Sequence, residues 1–481
     1  MRSSNQTRKL IYGLLIVALF GAMFPYSYWL TEQKKKKDLG EAAIGQVDTG
    51  SFMLKLALLG GARGVAANVL WTRAEELKRE QDWDRMASTV DLITKLQPHF
   101  LSVWTFQGWN LAYNVSVEWD APEDKYDWIK KGIKFLQDGV KKNRKSPDLI
   151  WDTAWTYYHK IGFADEAIIL RKLFRDDDDE DFKSYLDPQT QLRVIRNDNF
   201  QLGYGWFSRS VKLVDDKEEG VQRVATSVEA NLDYVDPVPQ RKGRPGDLAF
   251  RSMPAHAQTR YATSLEKMSM IDVPATFGEV AKNEWDLARK EWVKFGVFEF
   301  EAFNNAAEKI HLDDSTNTPR FKTLSDNAKY WTNRWADQMN YRYWKDRCSA
   351  EMTNQGVQAR QLFYEGTMAY KESDFEKAVQ KYADGLKLWD ELLKSHKDYR
   401  NDDFNKKDTG LIVKRYVRAL RQLGAVEPKD FPFKDLLGAA EKDTTLDPFD
   451  AAEMLGVNRS SSGPRGLAPT PTRRIPAPVK P

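Results

Sequence analysis

From Phe321 to Glu427 the chain runs without a single proline. Proline removes a backbone donor and breaks helix interiors. A stretch that long with helical periodicity therefore reads as helices joined by short turns. The periodicity is there: Leu324, Ala328, Trp331, Trp335 and Met339 recur at steps of three and four, as do Phe277, Ala281, Trp285, Ala288, Trp292 and Phe295 upstream. Each set lies on one helical face. Pro254 stands where a first-turn proline belongs, and Asp272 to Pro274 breaks that helix from the next, which predicts a helical hairpin. The only strand-like alternation is Val297 to Phe303, and Asp215 to Asp247 reads as a long irregular connection. The body is predicted to be all-α.

Leu10 to Leu30 carries no charge over twenty-one residues, enough helix to span a hydrocarbon core of about 30 Å. Its length and its terminal Tyr26, Tyr28 and Trp29 suit an uncleaved anchor in the bilayer better than a cleaved signal peptide. Arg2, Arg8 and Lys9 flank one side and Lys34 to Lys37 the other, so the positive-inside count nearly ties. The short basic tail tips the balance toward a body outside the cytoplasm, and the side stays open.

Composition narrows the class. Hydrophobic residues at 41% with 30% charged residues of both signs describe a folded chain. A net charge of +3 is too small to lure nucleic acid, so no nucleic-acid partner is expected. The lone Cys348 excludes an internal disulfide and any multi-cysteine metal site.

Internal repeats organise the rest. Arg360 to Lys387 alternates large and small residues over two short helices: Leu362, Gly366, Tyr370, Phe375, Ala378, Tyr382 and Leu386. This resembles the tetratricopeptide repeat, in which small residues such as Gly366 and Ala378 let two helices approach closely. Ala67 to Phe100 is similar, ending at Pro98. The next unit opens with Trp104 and Gly108 and carries about fifteen extra residues, placed in a loop from Val115 to Asp124, and Trp151, Ala154, Trp155, Tyr158, Gly162 and Ala167 begin a third. The chain between about 175 and 355 fits only as diverged helical pairs. GGARGVAANVLW and VWTFQGWNLAYNVSVEW are also similar to a group of uncharacterised bacterial membrane-anchored tetratricopeptide-like proteins. That likeness implies a bacterial inner membrane and an α-solenoid, and no chemistry.

The predicted organisation is a basic tail (1–9), the anchor (10–30), a juxtamembrane basic segment and lead-in helix (31–66), repeats (67–175), an acidic loop and irregular connection with helices (176–253), long helical pairs (254–355), a C-terminal repeat with helices (356–457) and a disordered Pro/Arg-rich tail (458–481).

No chemistry-bearing constellation emerges. His99, His159, His256, His311 and His396 lack metal-ligand spacing, so neither metal, cofactor nor catalytic residue is expected. His256 reads as a polar helical residue, Cys348 as a packed hydrophobe, and Asp176 to Asp181 as a solvated acidic loop. Gly60, Gly61 and Gly64 suit close helix packing. Most of the sixteen tryptophans are expected in the core, since pairs such as Trp151 and Trp155 are spaced i, i+4.

In the repeat register, the groove-facing candidates are Trp71, Lys78, Trp109, Tyr113, His159, Arg360 and Tyr370. The asparagine of carboxylate-clamp family members is replaced by Trp109 and Thr367, against a chaperone-tail receptor. The expected job is a non-enzymatic, membrane-anchored scaffold holding a protein or peptide partner. An all-α glycan-binding or glycan-cleaving envelope protein, with tryptophans as sugar platforms, and a structural envelope component are the alternatives.

Overall fold

The computed structural model describes residues 63–216, 245–266, 273–302 and 305–443, together with Trp29. The predicted anchor apart from Trp29, the Lys34 to Lys37 cluster, Gly60 and Gly61, the 217–244 connection and the Pro/Arg-rich tail lie outside them. Among the described residues no helix is long and apolar enough to cross a membrane.

The described chain is mostly helical, as its periodicity predicts. Helix α1 (Arg63–Arg79) packs on α2 (Trp83–Leu96), and α3 (Leu101–Trp109) on α4 (Pro122–Lys142). Helix α5 (Pro147–Trp155) lies between α4 and α7 (Asn199–Asp215), while the short α6 (Ala167–Asp176) covers α4. Local signals start these helices. Asp82 caps α2, accepting from Arg85 N at 3.2 Å, and Asp198 caps α7, accepting from Phe200 N at 2.8 Å. Ser146 with Pro147 opens α5, and α4 places Glu123 and Asp124 in its first turn and Lys141 and Lys142 in its last, matching the helix dipole.

Downstream, α8 (Pro245–Leu265) packs between α7 and α9 (Gly278–Gly296). Pro254 lies inside α8 rather than at its start. The proline costs the helix one backbone bond, which packing on both flanking helices outweighs. Helices α10 (Pro319–Thr323), α11 (Asp326–Gln338) and α12 (Tyr341–Glu351) follow, and α12 returns to α9. Next come α13 (Asn354–Lys371) and α14 (Phe375–Leu393), which form a closely packed pair, α15 (Lys397–Asn401), α16 (Asp403–Gln422) and α17 (Leu437–Lys442).

Two antiparallel hairpins interrupt the helices. In one, β1 (Ser184–Leu186) pairs with β2 (Arg193–Ile195), and in the other β3 (Phe300–Ala302) pairs with β4 (Asn305–Ile310) across a bulge at Glu301 and Ala302. The alternation beginning at Val297 thus marks a real strand, and its partner was illegible because Asn305 to Ile310 does not alternate.

Small residues sit where helices touch. A Cβ added to Gly132 on α4 would lie 2.7 Å from the Gly108 carbonyl oxygen on α3, and one at Gly366 would lie 3.0 Å from the Tyr382 ring. Ala378 on α14 is fully buried, and α13 and α14 pack closely. The tryptophans are chiefly core: Trp104, Trp128, Trp151, Trp206, Trp285, Trp292, Trp335 and Trp389 are buried.

Two further expectations fail here. The extra residues of the second unit do not form a loop from Val115 to Asp124. A π-helical turn (Asn110–Val115) and a 3-10 turn (Ser116–Glu118) extend α3, and α4 starts at Pro122 and runs 21 residues. The run Asp176 to Asp181 is a folded turn rather than a wholly solvated loop. Asp177 accepts from Lys130 Nζ at 2.7 Å and Tyr126 Oη at 2.8 Å, and Asp179 accepts from Lys134 Nζ at 2.6 Å. The Lys134 bond, with backbone and Lys130 help, holds the Asp179 carboxyl down at about 2. Lysines of α4 thus offset the mutual repulsion of the run.

Candidate binding face

Five of the seven groove candidates come together on the first helices of successive pairs. On α1, Trp71 packs against Phe106 of α3 with centroids 5.6 Å apart, and Lys78 Nζ lies 5.0 Å from the same ring. Past Trp109, α3 continues as the π-helical turn Asn110–Val115, and past Trp155, α5 continues as the π-helical turn Thr156–Ile161. These turns carry Tyr113 and His159, which are 46 residues apart and hydrogen-bonded at 3.2 Å, phenol oxygen to Nδ1. The likeness between the two units therefore extends to an uncommon backbone feature, one that recurs at functional sites.

The π turns explain how the rings line up. Trp109 and Tyr113 are four residues apart, and so are Trp151, Trp155, His159 and Phe163 in succession. In a regular α-helix each four-residue step drifts by about 40°. The wider π turns offset part of that drift between Trp109 and Tyr113 and between Trp155 and Phe163, while Trp151 and Trp155 stack within the α-helical part of α5. Trp109 stacks on Tyr113 at 5.8 Å, Tyr113 on His159 at 5.9 Å, and His159 on Trp155 at 4.8 Å and Phe163 at 5.9 Å. Trp155 in turn stacks on Trp151 at 5.4 Å, tying the column to the core.

The column is fixed electrostatically as well. Burial, then the neighbouring Lys160 charge, holds His159 below its usual value, so the imidazole is neutral at pH 7. Burial pushes the Tyr113 phenol well above its usual value, so it stays protonated. At the two ends, Trp109 is 46% and Phe163 41% exposed, while the rings between them are partly buried. The inner ring faces cover one another, so the column offers ring edges along its length and open surface at its ends. A sugar platform needs a free face, and only the end rings come near that.

Arg360 and Tyr370 are elsewhere. Helix α13 is covered by α12, α14 and α16 and touched by α9, so the side expected to line a groove is core. Arg360 donates to Glu351 through Nε at 3.1 Å and Nη2 at 2.6 Å, and to Tyr399 Oη at 2.7 Å, with its guanidinium carbon 4.3 Å from the Trp389 centroid. Phe363 and Thr367 are buried beside it. Tyr370 packs edge-on against Phe375 at 5.4 Å and closes the α13–α14 turn. Repeat register alone could not show this, because a repeat helix exposes a groove face only where no third helix covers it.

Other titratable groups are interior. Burial alone would raise Glu351, but Arg360 and then Arg347 outweigh it and hold the carboxyl below its usual value. Burial, with the nearby Glu351 charge second, pushes Glu266 up, so it keeps its proton at neutral pH. Burial and then Arg260 bring His256 down to about 3, with its ring edge-on to Trp292 at 4.8 Å and Trp344 at 5.2 Å. Burial pushes the Cys348 thiol up to about 12, in keeping with a packed hydrophobe. Among the described residues no group of three His, Cys, Asp or Glu side chains is placed to hold a metal ion.

Sequence reasoning missed Phe106, Trp155, Lys160, Phe163 and Arg260 as members of the face. The four-residue spacing from Trp151 to Phe163 was the available signal, and it reads equally well as a core stripe. Comparison of the chain with protein-family models and with curated proteins returns no match.

Proposed function

We propose that the protein is a non-enzymatic scaffold of the tetratricopeptide-like kind, anchored in a membrane by Leu10 to Leu30, and that it holds a protein or peptide partner along the α1–α3–α5 face. The observation that carries this reading is the aromatic column from Trp109 to Phe163, built across two helical pairs by matching π turns and open at both ends. Rigid rings with edges and end faces exposed supply contact area at little rotamer cost, which is how interface anchors work. Two helical pairs that present equivalent rings also make an elongated surface suited to an extended segment of another chain.

The test is photocrosslinking in membranes from the native host, using the full chain with benzoylphenylalanine in place of Trp109 or, separately, Phe163. One defined protein adduct, shared by both positions and absent from the exposed Tyr330 position, is expected. No adduct, or the same smear from all three positions, overturns the reading.

A further inference from the structure

The rings of this face carry cations without a salt-bridge partner among the described residues, Lys160 feeling Glu166 and Asp165 only at longer range. Lys78 Nζ is 5.0 Å from the Phe106 centroid, Lys160 Nζ 5.2 Å from Tyr113, and Arg260 Cζ 5.0 Å from Phe163. Among the described residues none of these three has a carboxylate oxygen within 4.0 Å, although cations on α4 and α6 do: Lys125 with Glu166 at 2.5 Å, Lys130 with Asp177 at 2.7 Å and Arg171 with Asp198 at 2.5 Å. A cation over an aromatic face is stabilised there and keeps its remaining donors for an anion. The face is therefore aromatic and cationic at once, and its complement is an acidic segment with apolar side chains.

The chain contains such a segment just beyond the described helices. Leu446 to Leu455 reads LDPFDAAEML. Leu446, Phe449, Ala452 and Leu455 recur every third residue, and Asp447, Asp450 and Glu453 occupy the position after each of the first three. At three to 3.6 residues per turn, that spacing sets one apolar and one acidic row side by side. No Lys or Arg occurs from Asp443 to Asn458, in a chain whose Lys and Arg total 73. The other acidic run, at Asp176 to Asp181, is already engaged by lysines of α4.

We infer that Leu446 to Leu455 of one copy docks on the aromatic, cationic face of a second copy, with its carboxylates toward Lys78, Lys160 and Arg260 and its apolar row on the ring edges. Asp443 is held on α16 by Lys407 and Lys414 at 3.1 Å each, beside a core cluster separate from that of α3 to α7. The contact is assigned between copies because the elements that hold Asp443 belong to a different core cluster from the face. Such head-to-tail contacts use two different surfaces and leave one of each free, so they propagate unless a ring closes. An incoming partner for the face would compete with this contact.

The inference rests on the reading of the face as a binding surface. Its test places benzoylphenylalanine at Phe449 of the full chain, co-expressed with a differently tagged copy. Irradiation is expected to join the two tags, with the adduct mapped to peptides containing Trp109, Lys160 or Phe163. Asp447→Asn with Asp450→Asn and Glu453→Gln, or Lys160→Glu in the acceptor, is expected to lower the yield about tenfold, as loss of several partly screened ion pairs should. Helicity of each variant is checked by circular dichroism. No inter-copy adduct, an adduct mapped to α14, α16 or α17, or a yield indifferent to charge overturns the inference. A foreign adduct from Trp109 with none from Phe449 leaves the scaffold reading standing and removes this one alone.

Discussion

Replacing Arg360 by methionine separates a groove residue from a core residue. On a solvent-lined groove the change would cost little stability. In the structure it removes the guanidinium that donates to Glu351 at 2.6 and 3.1 Å and to Tyr399 at 2.7 Å, and leaves a carboxylate with no exposed surface. Breaking a buried pair by deleting one partner costs about 3 to 5 kcal/mol. Arg347 Nε, 4.0 Å from Glu351, offsets part of that, so the lower end of the range is expected.

The pH dependence has a definite sign. Glu351 is held below its usual value when folded, so the pair's contribution is present above the ordinary glutamate range and is lost as pH falls through the lower folded value. In Arg360→Met the stranded carboxyl takes up a proton more readily, so the deficit is largest at pH 7 and shrinks toward pH 4. Adding Glu351→Leu should restore most of the loss, because both charges are then gone. Native-state hydrogen exchange of α13 and α14 amides measures the local free energy directly. A loss below about 1 kcal/mol at pH 7, or a double variant no better than the single one, would refute the reasoning.

Other consequences can be checked more simply. Gly132→Ala should lower the thermal midpoint, since the new Cβ meets a backbone oxygen at 2.7 Å and overpacking costs about 1 to 3 kcal/mol; an unchanged midpoint would mean α3 and α4 are not in this contact. Urea titrations should show stability falling as pH drops from 6.5 toward 3, because His256 stays neutral when folded but takes a proton when unfolded; the slope attributable to it is at most about 1.4 kcal/mol per pH unit, and His256→Gln should flatten that part of the curve. Cys348 should resist thiol reagents in the native chain and react only on unfolding, and prompt native labelling would contradict its burial.

The helical body was legible because buried stripes at 3.6-residue spacing survive any tertiary arrangement. Ala281, Trp285, Ala288, Trp292 and Phe295 are all buried on α9, as their spacing requires. The close approach of α13 and α14 at Gly366 was legible for a similar reason, since such an approach admits few residue types. Coverage of a face by elements distant in sequence was not legible. Arg360 looks like a groove residue until α12 and Tyr399 are placed around it, and the acidic run looks solvated until α4 brings its lysines across. The π turns could not be read either, because a four-residue ring spacing fits an α-helical core stripe and only the backbone shows which turn widens. Lys78, Trp109, Tyr113 and His159 were named by register, whereas Lys160 and Arg260, laid over the rings, were named by none of it.

The central claim is that the exposed ends of the aromatic column hold a partner protein. Its most direct measurement is the dissociation constant of the crosslinked partner for the full chain and for the Trp109→Ala/Phe163→Ala variant, at matched salt and with helicity confirmed equal. Both rings are exposed, and Tyr113 and His159 remain to hold the wall between them, so the fold should survive. The account predicts a loss of about 2 kcal/mol or more, roughly thirtyfold in affinity. Unchanged affinity in the double variant would contradict it and place the binding surface elsewhere on the molecule.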